Sequence, residues 1–314
     1  MAWILLTNDD GIEADSLQNL VTALHEKGHG CIVFAPCENN SAVSMKISLG
    51  KPLTVTKKED SRENVHQFSI GGTPCDCIIA ALDGGLQKLV PGIMPKLVVS
   101  GINLGPNLSQ DAYHSGTIAA AREAGMYGMP AIASSWSSFD PEGMHVGIDA
   151  TVELVQRVLP LVPKTPQNLC RPHIDARSKH VSSWPKPAVK RSQSEADQQL
   201  MSAFHHGELM LNLNVPPEWN GAYQTTRLGM RWYRNAVQFG EGKAGSVEST
   251  FTIGAAYIDT ETVEKGDCDS VATGHASISS LTTWPQTHPL ALDDELLAHA
   301  LRADETGHPT WFKG

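Results

Sequence analysis

Trp3-Ile4-Leu5-Leu6-Thr7-Asn8-Asp9-Asp10-Gly11 is an apolar run that ends abruptly on two adjacent carboxylates and a glycine. The run reads as a buried parallel strand, and open α/β sheets bind their ligands outside the carboxyl ends of such strands. Two neighbouring Asp side chains repel each other unless a cation lies between them. Asp9 and Asp10 are therefore a candidate site for a hard metal ion with oxygen ligands. Asp-Asp-Gly is also good turn chemistry, and the tripeptide alone leaves both readings open.

Working outward, Leu17, Leu20, Val21 and Leu24 fall at helical spacing, with Asp15 as the predicted N-cap and Gly28 as the stop. Residues 31–35 read as a second buried strand, followed by Pro36 and the polar loop Glu38-Asn39-Asn40-Ser41. Residues 53–56 and 65–70 look like paired strands, forming a hairpin or flanking the main sheet. Gly71-Gly72-Thr73-Pro74 leads into a helix over 77–82 with Pro74 in its first turn. A strand over 97–100 then runs into a Gly/Asn-rich loop, 101–116. A helix over 117–124 closes on Gly125, and a strand over 131–135 and a helix over 150–159 continue the alternation. Such alternation predicts an α/β fold, a mostly parallel sheet with helices on both faces.

The organisation expected is a core over 1–160, a long insertion or linker over 161–206, and a C-terminal part over 207–314. Pro160, Pro163, Pro166, Pro172, Pro185 and Pro187, mixed with Lys, Arg, Ser and Gln, make the middle stretch a poor core former, read as exposed. Beyond it, Leu209, Leu211, Leu213 and Val215 alternate with Met210, Asn212 and Asn214 as a half-buried strand would. Residues 222–283 read as a smaller β-rich appendage, and residues 290–301 as a closing helix.

Composition narrows the partners. With 24 Lys+Arg against 34 Asp+Glu, the 314-residue chain carries a formal charge of -10, which argues against duplex nucleic acid or an anionic membrane surface. Small anions remain possible, because a bound divalent cation reverses the local sign. The six cysteines show no paired CxxC or zinc spacing, and Cys75-Asp76-Cys77 is the one close pair. Met1-Ala2 runs straight into the first strand without leader features, and no stretch has the length of a membrane span, so the expected location is the cytoplasm.

Three loops follow strands of the predicted sheet, 8–11, 38–41 and 101–107, and their ends should converge at one edge. A cation there would meet the Asp9 and Asp10 carboxylates, a Ser or Asn oxygen from the second loop and an Asn carbonyl from the third. Mg²⁺ and Mn²⁺ accept such a set, and the chemistry implied is metal-assisted hydrolysis, most naturally of phosphate esters. Ser115-Gly116-Thr117 opens a helix, which makes it a phosphate seat or a plain N-cap. Neither a G-x-G-x-x-G frame nor a P-loop is present, which disfavours a dehydrogenase or P-loop kinase.

Four segments then occur in order: Leu5-Leu6-Thr7-Asn8-Asp9-Asp10-Gly11-Ile12; Ala35-Pro36 with Asn40-Ser41; Gly72-Thr73-Pro74 with Asp76-Cys77; and Val99-Ser100-Gly101-Ile102-Asn103-Leu104-Gly105-Pro106-Asn107. With Ser115-Gly116-Thr117 they resemble the survival protein SurE family of metal-dependent 5′/3′-nucleotidases, over roughly residues 3–135 and more loosely beyond. The resemblance implies a Rossmann-like sheet and a protruding β appendage used in homodimer or homotetramer assembly. It also implies one divalent ion, Mg²⁺ or Mn²⁺, on Asp9, Asp10, Ser41 and Asn103, with Asn107, Ser115, Gly116 and Thr117 flanking the phosphate. The substrates implied are nucleoside monophosphates, with Asp9 or Asp10 serving as the catalytic carboxylate. Three departures stand out: Ala14-Asp15-Ser16 replaces the usual Ala-Pro-Gly, Glu38-Asn39-Asn40-Ser41-Ala42 replaces an arginine-bearing loop, and His114 stands where Tyr is common. The lost arginines keep open an alternative, a catalytically weak nucleotide- and metal-binding regulatory protein. A phospho-receiver fits poorly, since Asp60 lies in a charged linker.

Overall fold

The computed structural model of the chain describes residues 1–163, 189–240, 245, 249–254 and 257–313. Its strands are β1 (Trp3–Thr7), β2 (Gly30–Pro36), β3 (Val55–Lys58), β4 (Val65–Ile70), β5 (Leu97–Leu104), β6 (Ala131–Trp136), β7 (Leu209–Val215), β8 (Tyr223–Thr226), β9 (Met230–Arg234), β10 (Val237–Phe239), β11 (Phe251–Ile253), β12 (Tyr257–Glu261) and β13 (Ala276–Thr282). The helices are α1 (Asp15–Glu26), α2 (Pro74–Ala80), α3 (Leu86–Leu89), α4 (Asp111–His114), α5 (Gly116–Met126), α6 (Met144–Val158), α7 (Gln193–His205), α8 (Asp267–Ala272) and α9 (Asp294–Ala300). Nine strands form one sheet in the order β3-β4-β2-β1-β5-β6-β7-β13-β8. The run from β4 to β7 is parallel throughout, so the α/β expectation holds.

The chain leaves β1 towards β2 and β4 on one side, then returns to β5 on the other. That reversal puts a topological switch point between the carboxyl ends of β1 and β5, where open α/β sheets form their crevice. β1 is buried on both faces, as a central parallel strand must be. Ile4 and Leu6 join the core under α1, α6, α7 and α9, whereas Leu5 joins the core under α2 and α5. Helices therefore cover both faces.

Several sequence expectations change in detail. The N-cap of α1 is Ala14, and Asp15 is instead the first helical residue, where a carboxylate complements the helix dipole. β3 and β4 are an antiparallel pair, Val55 opposite Ile70, and also form the sheet's edge, so both readings of that pair apply. α6 begins at Met144, ahead of the predicted 150, after Gly143 at φ +79°. The capping box of α2, Thr73 with Asp76, places Pro74 in its first turn as predicted.

Two corrections bear on organisation. Of the stretch expected to be an exposed insertion, residues 164–188 lie outside those described, but α7 is core-forming. Ala196, Leu200, Met201 and Phe204 recur at helical spacing and are buried, because the Ser192-Glu195 capping box starts a helix with one apolar face. β7 is buried along its whole length rather than on one face, since Asn212 and Asn214 are covered by the loop that follows β5. In the C-terminal part, β9 pairs with β12 and β10 with β11 as two antiparallel ribbons apart from the main sheet. The predicted closing helix is the shorter α9. No helix among the described residues is long and apolar enough to cross a membrane.

Candidate functional site

Asp9 follows β1 directly, and its carboxylate meets the start of α5. Thr117 Oγ1 donates to Asp9 Oδ1 at 2.6 Å and Thr117 N to Oδ2 at 3.2 Å. Gly116 makes this approach possible: a Cβ there would lie 2.9 Å from both Cβ and Oδ2 of Asp9, against a carboxylate that has no room to retreat. Asp9 is only 3% exposed. Burial pushes its carboxyl up to about 6 against the opposing Thr117 hydrogen bond, and the adjacent Asp10 pushes the same way. Asp10 is less buried; burial raises its carboxyl too, while Leu104 N at 3.4 Å and Asn39 Nδ2 at 3.3 Å donate to it. The turn carrying both acids is clamped by Asn8, whose Nδ2 donates to Gly11 O at 2.9 Å and whose Oδ1 accepts from Gly11 N at 3.3 Å.

Asn103 reaches this edge through an irregularity in β5, whose pairing with β6 shifts register between Ser100 and Asn103. Gly101 is required there: its φ is +131° and a Cβ would lie 2.3 Å from Ser134 O. Asn103 Nδ2 donates to Gly105 O at 2.8 Å, which leaves Oδ1 as the free end of the amide. Ser41 is connected to Asp10 through Asn39. Ser41 Oγ donates to Asn39 Oδ1 at 2.7 Å, and the same side chain's Nδ2 reaches Asp10. The loop bearing Ser41 is tied down at Ser48, whose N and Oγ donate to Asp76, and at Ser44, whose N and Oγ donate to the carbonyls of His114 and Tyr113.

The structure thus bonds Thr117 to Asp9 and Asn39 to both Asp10 and Ser41, sets Gly116 against the Asp9 carboxylate, and brings Asn103 to this edge beside Leu104, whose N donates to Asp10. Ser115 caps α5, its Oγ accepting from Ile118 N at 3.0 Å. Gly116 N–H has no protein partner among the described residues, so the helix presents one free donor beside Asp9. Asn107 stands apart from the acids in a buried network: its N donates to Asn214 Oδ1 at 2.8 Å and its Nδ2 to Ser135 Oγ at 2.7 Å. Its carbonyl accepts from the amides of Asn212 and Asn214. His114 is exposed, its side chain outside the core.

Sequence reasoning missed Asn39, Asn212 and Asn214. Asn39 was one of several polar loop residues, and the two β7 asparagines looked like a solvent face; asparagines on an otherwise apolar strand were the available signal. Cys75 and Cys77 are free thiols buried in α2, and burial pushes the Cys75 thiol up to about 12, which suits packing rather than redox exchange.

The fold and the site define an α/β protein with an all-oxygen acidic site at the carboxyl edge of a parallel sheet. Among the described residues there is no cluster of three or more His, Cys, Asp or Glu suited to a metal ion. The chain belongs to the SurE family, whose sequence model, described as survival protein SurE, matches residues 4–235. It is 30% identical over 282 residues to the 5′-nucleotidase SurE of Desulfitobacterium hafniense (strain DSM 10664 / DCB-2), covering 88% of this chain and 90% of that one. It is likewise 30% identical over 283 residues to the 5′-nucleotidase SurE of Stenotrophomonas maltophilia (strain R551-3), covering 88% of each. The crystal structure of the SurE protein from Aquifex aeolicus superposes with a TM-score of 0.61 at 25% identity, over 93% of this chain and 95% of that one.

Proposed function

We propose that this protein is a divalent-metal-dependent phosphomonoesterase that hydrolyses nucleoside 5′-monophosphates, with 3′-monophosphates as a second substrate class, to nucleoside and inorganic phosphate. The observation that carries the reading is the buried Asp9 carboxylate, held by Thr117 against the start of α5 and beside Asp10. Two adjacent acids, one of them buried, are costly unless a cation sits with them, and Ser41 and Asn103 would add only oxygen ligands. Asp9, Asp10, Ser41 and Asn103 would hold one Mg²⁺ or Mn²⁺. When bound, that ion supplies positive charge that offsets the phosphate and makes water more acidic.

The chain's own groups supply the rest. Gly116 N–H, at the positive end of α5, faces an anion without a competing protein acceptor. Ser115, Gly116 and Thr117 frame that seat, with Thr117 fixing Asp9, and Asn107 anchors the loop from β5 to α4. Water attacks phosphorus, the bond from phosphorus to the nucleoside oxygen breaks, and the leaving oxygen gains a proton. Asp9 or Asp10 accepts the proton of the attacking water. Exposed apolar side chains on the ribbons, Phe239 at 71%, Ile253 at 76% and Tyr257 at 60%, support assembly into a homodimer or homotetramer. The formal charge of -10 favours small nucleotides over duplex nucleic acid.

The test is phosphate release from a panel of 5′- and 3′-nucleoside monophosphates by protein stripped with EDTA and then resupplied with Mg²⁺ or Mn²⁺. Release that stops with EDTA and returns with metal is the expected result. Folded protein that binds nucleotide but releases no phosphate with either ion would instead establish the regulatory binding protein.

A further inference from the structure

A groove of about 250 Å³ opens between the start of α4 and β9, lined by Ser109, Gln110, Tyr113, Leu228, Arg231 and Trp232. One wall belongs to the chain between Asn103 and Ser115, and in that stretch the carbonyls of Tyr113 and His114 accept from Oγ and N of Ser44, in the loop that carries Ser41. We propose that this groove holds the base of the nucleotide whose phosphate occupies the acidic site, a reading that rests on the nucleotidase assignment.

Three features fit a heteroaromatic ring. Its volume lies just below the roughly 300–1,000 Å³ of pockets that enclose whole drug-sized ligands, which suits one ring system with the sugar outside. Two aromatic side chains line it from different elements, Tyr113 from α4 and Trp232 from β9, and no ring contact joins them among the described residues. Tyr113 is 69% exposed, which is unusual for an aromatic ring and leaves its face available. Bases stack on such rings whatever their identity. Gln110 adds an amide with no hydrogen-bond partner among the described residues, offering one acceptor and two donors to a base edge.

Hydrogen bonds among the lining residues, and from them to Asp267 and Asp111, fasten the walls. Asp267 is fully buried and accepts from Gly229 N at 2.7 Å and Ser109 N at 3.1 Å, while Ser109 Oγ accepts from Arg231 N at 3.0 Å. Arg231 and Tyr233 both bond to Asp111, with Arg231 Nη1 3.1 Å from Oδ2, so β9 and α4 are fastened to each other. A slot built this way is formed before its ligand arrives, and an aromatic wall lost from it should cost affinity for the base alone.

The experiment compares AMP with ribose 5-phosphate, which carries the same ester without a base, for the wild type and the Trp232→Ala and Tyr113→Ala variants with Mn²⁺. The wild type should favour AMP in kcat/KM, and either variant should lower the AMP-to-ribose 5-phosphate ratio roughly tenfold, through KM for AMP. A ratio unchanged in both variants, or a wild type that treats the two esters alike, overturns the groove assignment and leaves the nucleotidase intact. A wild type that hydrolyses neither ester, with Mg²⁺ or Mn²⁺, overturns the nucleotidase reading and the groove with it.

Discussion

Asp9 is the residue on which most of the site depends. Thr117 donates twice to its carboxylate, yet burial wins and the carboxyl titrates near 6. In the metal-free protein a carboxyl raised above its ordinary range holds a proton better when folded, so its contribution to stability is present at low pH and lost as pH rises through about 6. A cation needs the ionised form, so the sign reverses once metal is added. The rise in melting temperature on adding Mn²⁺ should accordingly be larger at pH 7.5 than at pH 5, and Thr117→Val, which removes a bond to the charged form, should move that threshold upward. Equal rises at both pH values would remove Asp9 from the ligand set. The pair Asp9-Asp10 was legible in the sequence because charge repulsion is a property of neighbours. The role of Asn39 as the bridge from Ser41 to Asp10 was not, because that bond joins residues 29 positions apart in the chain.

At the scale of elements, the site depends on how β5 and β7 present their ends. Asn212 and Asn214 of β7 point into the protein and hold the backbone of Asn107, whose N–H would otherwise be buried without a partner. Asn214→Ala should therefore cost about 1–3 kcal/mol in urea unfolding and raise KM for a phosphate ester, since the loop from Asn103 to α4 loses its anchor. A variant as stable as the wild type, with unchanged KM, would show that the anchor is dispensable. Most elements were legible from period and punctuation: the strand from Trp3, the helix after Ser115, the proline in the first turn of α2. The start of α6 and the packing of α7 were not. Proline, lysine and serine dominate the composition around α7, and its apolar face emerges only when Ala196, Leu200, Met201 and Phe204 are placed on one helix. β7 was misread for the opposite reason: alternation normally marks a solvent face, and here the alternate face is covered by a loop.

At the scale of the whole molecule, the sheet brings distant loops to one edge. The strand-helix alternation implied a mostly parallel sheet, and the observed order β4-β2-β1-β5-β6-β7 places the ends of β1, β2 and β5 side by side. Thr117 of α5, Leu104 at the end of β5 and Asn39 of the loop after β2 each donate to the acids that follow β1. Of the two ribbons, β9 is bonded to α4 through Arg231 and Tyr233, whereas β10 and β11 pair with each other away from the main sheet. The central claim is that the acidic edge holds a divalent ion and that this ion drives hydrolysis. Its most direct test is phosphate release from AMP by wild-type and Asp10→Asn protein, each stripped with EDTA and titrated with Mn²⁺, with circular dichroism to confirm folding. The account predicts metal-restored turnover in the wild type and a loss of at least about 100-fold in a folded Asp10→Asn variant, in line with removing a group that acts on the reacting phosphate. Near-wild-type turnover by that variant at saturating Mn²⁺ would contradict it.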